Sequence, residues 1–396
     1  MTGTVLDYLM EYGDVSFAEM RFTEVDAAIL SKLSYFNFEG IVPTPEQKLT
    51  AVSLKNIMLM ENHEDIFNKG KYESVHRELV ELMLKGKRFA DLRIACYENC
   101  FDRESQTQFA AVTFLVSPRR MCVVFRGTDS TVVGLKEDLN LLYMDEAPCH
   151  KMAIEYLKMI SERYARKIYL AGHSKGGHLA LYAAMYMPPE IKDRIHRIYS
   201  LDGLGLRPST MERGNFSEIE KKIYKLVPQS SLIGMMLDDV DTYEVVRSTG
   251  VSLIQHNIYT WIVEGKKFAR EEKLGTNALF VEHSFNGWVD SQDDENRRKF
   301  IDGVYSVIDA LEAEKLGDIL AGGGKKFNKI LSEIKGLDPE TADQIKTVFK
   351  AFIEVTKFYL KEDVGGNLKD STSAAGERLK ETTNAAGAKL KKIIRI

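Results

Sequence analysis

Cysteine is scarce in this chain. Cys96, Cys100, Cys122 and Cys149 are the only four in 396 residues. Their spacing makes no paired zinc set, and a chain of this length does not lean on so few for a disulfide framework. Reduced, mostly buried thiols in a cytoplasm are the expectation, with neither metal nor cofactor. The first residues carry Asp7 and Glu11 and lack a basic stretch leading into an apolar one, so no secretory signal is expected. No apolar run approaches the length of a membrane span. The formal charge of −4 gives no electrostatic reason to expect nucleic acid. What remains, 44% hydrophobic and 28% charged residues, is the composition of a soluble globular protein. The length suffices for one large domain with an appendage, or for two domains.

The most informative stretch runs from Lys167 to Met187, KIYLAGHSKGGHLALYAAMYM. A short apolar run, Ile168 to Ala171, leads into Gly172-His173-Ser174-Lys175-Gly176-Gly177, and a small-residue helix follows from Leu179 until Pro188-Pro189 ends it. Strand, G-x-S-x-G turn and helix in this order form the setting of a nucleophile elbow. A serine at the tip of so tight a turn needs neighbours without Cβ atoms, so that strand and helix can approach. The helix N-terminus then directs free N–H groups and the positive end of its dipole to where an oxyanion would form.

Residues 1 to 88 read as helical. Thr23 to Asp26 has the form of a capping box, Thr44-Pro45 with Gln47 marks a second helix start, and Ser74 begins a third helix that Gly86 ends. This segment is expected to pack on the core, with part of it a candidate lid. From Phe89 the pattern turns to β: 89–97, 108–116 and 121–125 are strand-like runs, the last closing in Phe125-Arg126-Gly127-Thr128-Asp129. Pro148 to Tyr164 is amphipathic and leads into the elbow strand. After the elbow, 197–203, 222–227 and 243–246 read as strands, with a methionine-rich apolar patch at 232–237 between the last two. Alternating strands and helices argue for an α/β fold, a mostly parallel sheet with helices on both faces, over residues 89–316. Ser291 to Leu316 is expected to close that core as an amphipathic helix.

Residues 317–396 read as a glycine hinge (Gly322-Gly323-Gly324), a helix and a tail of three gapless eleven-residue repeats, 363–373, 374–384 and 385–395. Eleven residues make three helical turns, so Leu368, Leu379 and Leu390 stay on one stripe. From 364 to 396 there are seven Lys or Arg and three Asp or Glu. A basic, weakly apolar helix of this kind suits peripheral contact with an anionic membrane or pairing with a partner helix.

FRGTD at 125–129, GHSKGG at 172–177 and the later acid and histidine resemble the class 3, fungal-lipase-type α/β-hydrolases. More closely, the chain resembles a bacterial lipase-like family described only as a domain of unknown function. That likeness includes DYLMEYGDVSF, FTEVDAAILSKLSYFNFE and VPQSSLIGMML ahead of LIQHNIYTW, and it covers roughly residues 4 to 312. It implies an α/β-hydrolase core with Ser174 as nucleophile. Thr128, after Arg-Gly, matches the oxyanion-hole residue, and Lys175 N–H would be the second donor. Lys175 departs from the commoner Leu and would set a charged side chain beside the site. In class 3 lipases the acid sits just before a Val-Pro. Here that stretch, Lys222 to Pro228, holds no carboxylate, so the acid must come from elsewhere or be missing.

The chain is thus expected to be a serine esterase or lipase acting on a carboxylic ester or acyl lipid through an acyl-enzyme. The alternative is a non-catalytic hydrolase-fold module that binds a membrane or protein partner through its tail. Ser174, Asp202 and His256 occur in the order Ser, Asp, His. Asp202 ends the first strand after the elbow helix, and Gly203 would allow the sharp turn that frees its carboxylate. Asp238, Asp239 and Asp241 are the rival acids and His283 the rival base. His173 and His178 flank the elbow serine and should point away from its hydroxyl.

Overall fold

The computed structural model describes residues 2–47, 49–69, 72–129, 131–237, 243–250, 252–275, 278–279 and 286–310. The chain forms two compact units, one of Met1–Asn68, Glu73–Thr128 and Met144–Ser291, the other of Lys69–Tyr72, Asp129–Tyr143 and Gln292–Ile396. The elements of the first unit begin with β1 (Thr2–Gly3), α1 (Val5–Tyr12) and α2 (Glu24–Leu33). Next come β2 (Val52–Ser53), α3 (Leu54–Ile57), α4 (Glu73–Lys85) and α5 (Lys87–Ala90). The sheet then enters with β3 (Arg93–Asp102), β4 (Thr107–Ser117) and β5 (Arg120–Phe125). In the second unit lies α6 (Val132–Asn140).

The first unit resumes with α7 (Pro148–Arg163), β6 (Lys167–His173), α8 (Lys175–Met185), α9 (Pro189–Lys192), β7 (Ile195–Leu201) and α10 (Pro208–Arg213). Strands β8 (Ile223–Pro228), β9 (Tyr243–Val246), β10 (Val263–Glu264), β11 (Lys267–Phe268) and β12 (Arg270–Glu271) follow, then α11 (Asn286–Ser291). The second unit ends its described part with α12 (Asp294–Ala310).

Nine strands form one sheet in the order β12-β9-β8-β7-β6-β5-β4-β3-β2. The five from β5 to β9 run parallel, and antiparallel strands extend both edges. This is the mixed α/β architecture expected from the alternation of elements. Both faces are covered, as parallel strands require, since crossover helices lie on the faces. Val112, Phe114, Val124, Tyr169, Ala171 and Leu201 share one buried cluster with Val25, Ile29 and Leu33 of α2. On the other face α7 and α8 pack, with Tyr156 set edge-on to Phe109 and Phe125 at ring distances of 6.4 and 6.1 Å. Each such buried side chain contributes roughly 1.5–3 kcal/mol.

Two local expectations differ from the structure. No helix starts at Thr44-Pro45. Gln47 Oε1 does accept from Thr44 N–H at 3.0 Å, but the segment stays irregular, because Val52 and Ser53 are drawn into pairing with Ile94 and Arg93 at the sheet edge. The strand expected from Phe89 starts only at Arg93. Phe89 belongs to α5 and packs edge-on to Phe17. In the second unit α12 forms within the expected 291–316 span, with Phe300, Ile301 and Val304 buried, and Tyr305 Oη donates to Lys136 O at 2.5 Å. The hinge and repeats of 317–396 lie outside the described residues.

One buried node binds the N-terminal segment. Arg88, fully buried, meets Asp26 bidentately (Nε to Oδ1 2.7 Å, Nη2 to Oδ2 2.5 Å) and donates to Val15 O, Met20 O and Arg21 O. Asp26 also caps α2 through Thr23 N–H at 2.7 Å and accepts from Tyr8 Oη at 3.0 Å. Helices α1, α2 and α5 thus share one charged pair whose every lone pair is in use. Removing one partner strands a buried charge, so Arg88→Met should destabilise by roughly 3–5 kcal/mol in urea unfolding. The double variant Asp26→Asn/Arg88→Met should recover part of that loss. A double variant as unstable as the two single losses combined would show that the charges are uncoupled.

Candidate active site

Ser174 stands between β6 and α8 with φ 58° and ψ −133°, a backbone conformation that a residue with a Cβ rarely adopts. Ser174 N–H donates to Leu201 O at 3.0 Å, and Ser174 O accepts from Gly177 N–H at 2.9 Å. The glycines are there because nothing larger fits. A Cβ on Gly176 would lie 2.0 Å from Phe125 O, and one on Gly172 would lie 2.1 Å from Gly176 C. Gly127, in the loop after β5, is packed against the same tip. A Cβ there would sit 2.5 Å from His173 O and 3.0 Å from Ser174 Cβ. That contact sets Thr128, half-buried, one residue from the elbow.

Asp202 leaves β7, the strand beside β6, with φ 48°. The sharp turn therefore falls on Asp202 itself. Gly203 serves another need, since a Cβ there would come 2.9 Å from Gly177 Cα of α8. Asp202 N–H donates to Leu226 O of β8 at 2.7 Å. Its buried carboxylate has both oxygens engaged: His256 Nδ1 lies 2.6 Å from Oδ2, and Ser231 Oγ donates to Oδ1. Ser231 in turn accepts from Gly234 N–H at 3.0 Å. A carboxylate oxygen accepts, so His256 Nδ1 carries a proton toward Asp202, and in the neutral tautomer Nε2 is left with its lone pair.

The turn of His256 is pinned from the same side. Gln255 Oε1 accepts from Ser230 N–H at 2.7 Å, Gln255 Nε2 donates to Gly250 O at 3.0 Å, and buried Trp261 Nε1 donates to Gln255 O at 2.7 Å. Ser230 and Ser231 lie just past the Val227-Pro228 that ends β8, separated from it by Gln229. The segment just past the stretch that lacks a carboxylate thus holds both Asp202 and the turn that carries His256. Sequence reasoning missed Ser231, although it lies in VPQSSLIGMML. Its role depends on which strand neighbours β8, and no local signal carries that.

Lys175 departs from expectation. Its side chain is buried and does not border the site. Nζ reaches Gln108 O of β4 at 2.6 Å and Gln108 Oε1 at 3.1 Å. A buried ammonium must find acceptors, and Gln108, near the start of β4, supplies two. His178 is buried and bonded in the interior. Its Nδ1 donates to Gly205 O at 2.6 Å, and its Nε2 accepts from His150 Nε2–H at 2.8 Å, while His150 Nδ1 accepts from Ala147 N–H. His173 is not directed away from the neighbourhood of the site. Its ring lies 4.3 Å from that of His256, and Nε2 donates to His256 O at 2.7 Å.

The methionine-rich patch is core: Met235 and Leu237 are buried, Met235 against Val227 and Val245. Asp238, Asp239, Asp241 and His283 lie outside the described residues. Among the described residues no group of three or more His, Cys, Asp or Glu is placed to hold a metal ion. Nor is any helix among them long and apolar enough to cross a membrane.

Residues 83–306, more than half of the chain, match the model of the Mbeg1-like family. No curated protein matches the sequence. Among solved structures the chain is similar to M37 lipase, with 12% identity and a TM-score of 0.35 over 54% of this chain and 70% of that one. It is also similar to lipase II from Rhizopus niveus, with 14% identity and a TM-score of 0.32 over 58% of this chain and 91% of that one.

The buried histidines tie stability to pH. Burial pushes His178 down to about 4 and holds His150 and His173 well below the ordinary 6.5. In the unfolded chain they protonate near 6.5, so the folded state is at its best above that value and loses ground as pH falls toward 4. His178 alone accounts for about 2 kcal/mol between pH 7 and pH 5. Glu98, which burial raises to about 7, works in the opposite direction. The urea midpoint should therefore drop between pH 7 and pH 5. An unchanged midpoint would mean that these histidines are not held neutral in the fold.

Proposed function

The chain belongs to the Mbeg1-like family, and we propose that it is a serine hydrolase that cleaves a carboxylic ester or acyl lipid through an acyl-enzyme on Ser174. The observation that carries this reading is the 2.6 Å bond between His256 Nδ1 and a buried Asp202, together with a serine in a strained strand-to-helix turn whose amide is bonded to Leu201, the residue before Asp202. Ser174 Oγ attacks the acyl carbonyl while His256 Nε2 takes its proton. Asp202 holds the productive tautomer and stabilises the imidazolium. Thr128 and Lys175 N–H groups bind the tetrahedral oxyanion, Lys175 being the first residue of α8. Donors of this kind contribute on the order of 3 kcal/mol each. Collapse of the intermediate expels the alcohol, which takes its proton from His256, and water repeats the cycle to release the acid.

Ser174→Ala should abolish labelling by a fluorophosphonate probe. Asp202→Asn should stay folded and lose kcat by roughly 10⁴-fold, the effect of removing the triad carboxylate in a serine protease. Equal labelling of wild type and Ser174→Ala would reject the reading and favour a non-catalytic hydrolase-fold module.

The place of action goes with the tail. Cys96, Cys100, Cys122 and Cys149 are all free thiols, which suits a reducing cytoplasm. The basic eleven-residue repeats suit peripheral contact with an anionic membrane surface. Truncation after Leu360 should leave hydrolysis of a soluble ester unchanged and lower co-sedimentation with phosphatidylserine vesicles. Binding by the intact chain should weaken as salt rises. An intact chain that does not sediment with such vesicles would reject membrane contact and leave a partner helix.

A further inference from the structure

Among the described residues His173 is the buried imidazole that touches the proposed base, and the hydrolase mechanism gives it no task. Both of its nitrogens are committed. Nε2 faces His256 O at 2.7 Å, and a carbonyl can only accept, so the ring proton sits on Nε2. Nδ1 is therefore bare, and Tyr35 Oη donates to it at 3.2 Å. The carbonyl thus sets the tautomer of His173, and the Tyr35 hydroxyl satisfies and holds the nitrogen left bare. The same hydroxyl closes on the elbow. A Cβ on Gly127 would stand 2.3 Å from Tyr35 Oη and 3.0 Å from Ser174 Cβ, so the tyrosine tip and the serine converge on one point. Lys32 joins the arrangement from outside, with Nζ 5.2 Å from the Tyr35 ring and 5.0 Å from that of Tyr259, three residues past His256.

We infer that His173, set by Tyr35, is a positioning residue for His256; the inference rests on His256 being the general base. Asp202 fixes the His256 ring through Nδ1, but a ring is held only as firmly as the backbone that carries it. His173 supplies that second hold by donating to the carbonyl of His256 while its own ring lies over the His256 ring at 4.3 Å and 35°. With backbone, ring face and Nδ1 all fixed, the Nε2 lone pair keeps one direction. Burial leaves His173 neutral, so it adds no charge against the imidazolium that forms during acylation. Tyr35 follows α2 and lies outside residues 83–306, so the N-terminal segment contributes to the site itself and not only to the cover of the sheet.

Four full-length variants test this on a soluble short-chain ester. His173→Gln keeps an N–H near the position of Nε2, whereas His173→Phe keeps a ring and loses the donor. Leaving the His256 carbonyl unpaired should lower kcat about 10- to 100-fold in His173→Phe, with KM little changed, and His173→Gln should recover most of the loss. Tyr35→Phe should fall between them. Tyr35→Phe/His173→Phe should be no worse than His173→Phe alone, since both act through one chain of contacts.

The low-field proton resonance of His256 Nδ1–H gives a reading that needs no turnover. It should stay sharp in wild type and His173→Gln and broaden in His173→Phe. His173→Gln as impaired as His173→Phe, or His173→Phe equal to wild type in rate and resonance, overturns the inference. If wild type itself takes no fluorophosphonate, the hydrolase reading fails, while the resonance still decides whether His173 orders His256. If His173→Phe does not fold, Tyr35→Phe decides alone, because it removes only a half-buried hydroxyl. An unchanged rate and an unchanged resonance in Tyr35→Phe would then reject the inference.

Discussion

The close approach of strand and helix at Ser174 is the constraint on which the rest of the site depends. A non-glycine residue at positive φ costs roughly 1–3 kcal/mol and persists only where its surroundings over-determine it. Here they do. The Ser174 amide is tied to β7 through Leu201 O, its carbonyl is tied into the first turn of α8 through Gly177 N–H, and Gly172, Gly176 and Gly127 let three backbones meet without side chains between them. The buried ammonium of Lys175, bound to Gln108, anchors the start of α8 to β4. A serine so placed has its hydroxyl at the carboxyl edge of the sheet, where α/β folds bring functional groups together.

The second part of the site is built one strand over from where the lipase pattern would put it. Lys222 to Pro228 carries no carboxylate, and the acid candidate leaves β7, the strand adjacent to the elbow strand. The loop after Pro228 keeps a supporting task. Ser231 holds Asp202, Ser230 holds Gln255, and Gln229 Oε1 accepts from Ser248 N–H, so one short segment braces Asp202 and the turn of His256 alike. Held on both oxygens, Asp202 cannot rotate away from His256 without breaking a buried hydrogen bond.

The N-terminal helices both close the apolar core and reach the site. Asp26 and Arg88 lock α1, α2 and α5 to one another, and Glu24 binds Arg270 of β12 at 2.8 and 2.9 Å. With α2 anchored at its start, its far end delivers Lys32 and Tyr35 to His173 and Gly127. Order in this segment and order around His256 are therefore coupled through a few polar contacts in a region of low dielectric.

Much of this was legible in the residues themselves. The elbow announces itself because its requirements are local: an apolar strand, glycines at fixed offsets from Ser174, and a small-residue helix. The Thr23–Asp26 cap is legible for the same reason, and so is the alternation that implies a covered α/β sheet. The pairing of Asp202 with His256 was readable only as an order along the chain, beside rivals at Asp238, Asp239, Asp241 and His283. The wrong direction for the Lys175 side chain, the missing helix at Thr44 and the unforeseen contact of His173 with His256 share a cause. Each turns on a partner far away in sequence: Gln108, Ile94, or His256. Spacing and periodicity report which face a residue can occupy, since they express backbone geometry over a few residues. Which acceptor, ring or carbonyl waits on that face is decided by strand order and by the packing of α2 over the sheet, and only the tertiary structure contains those.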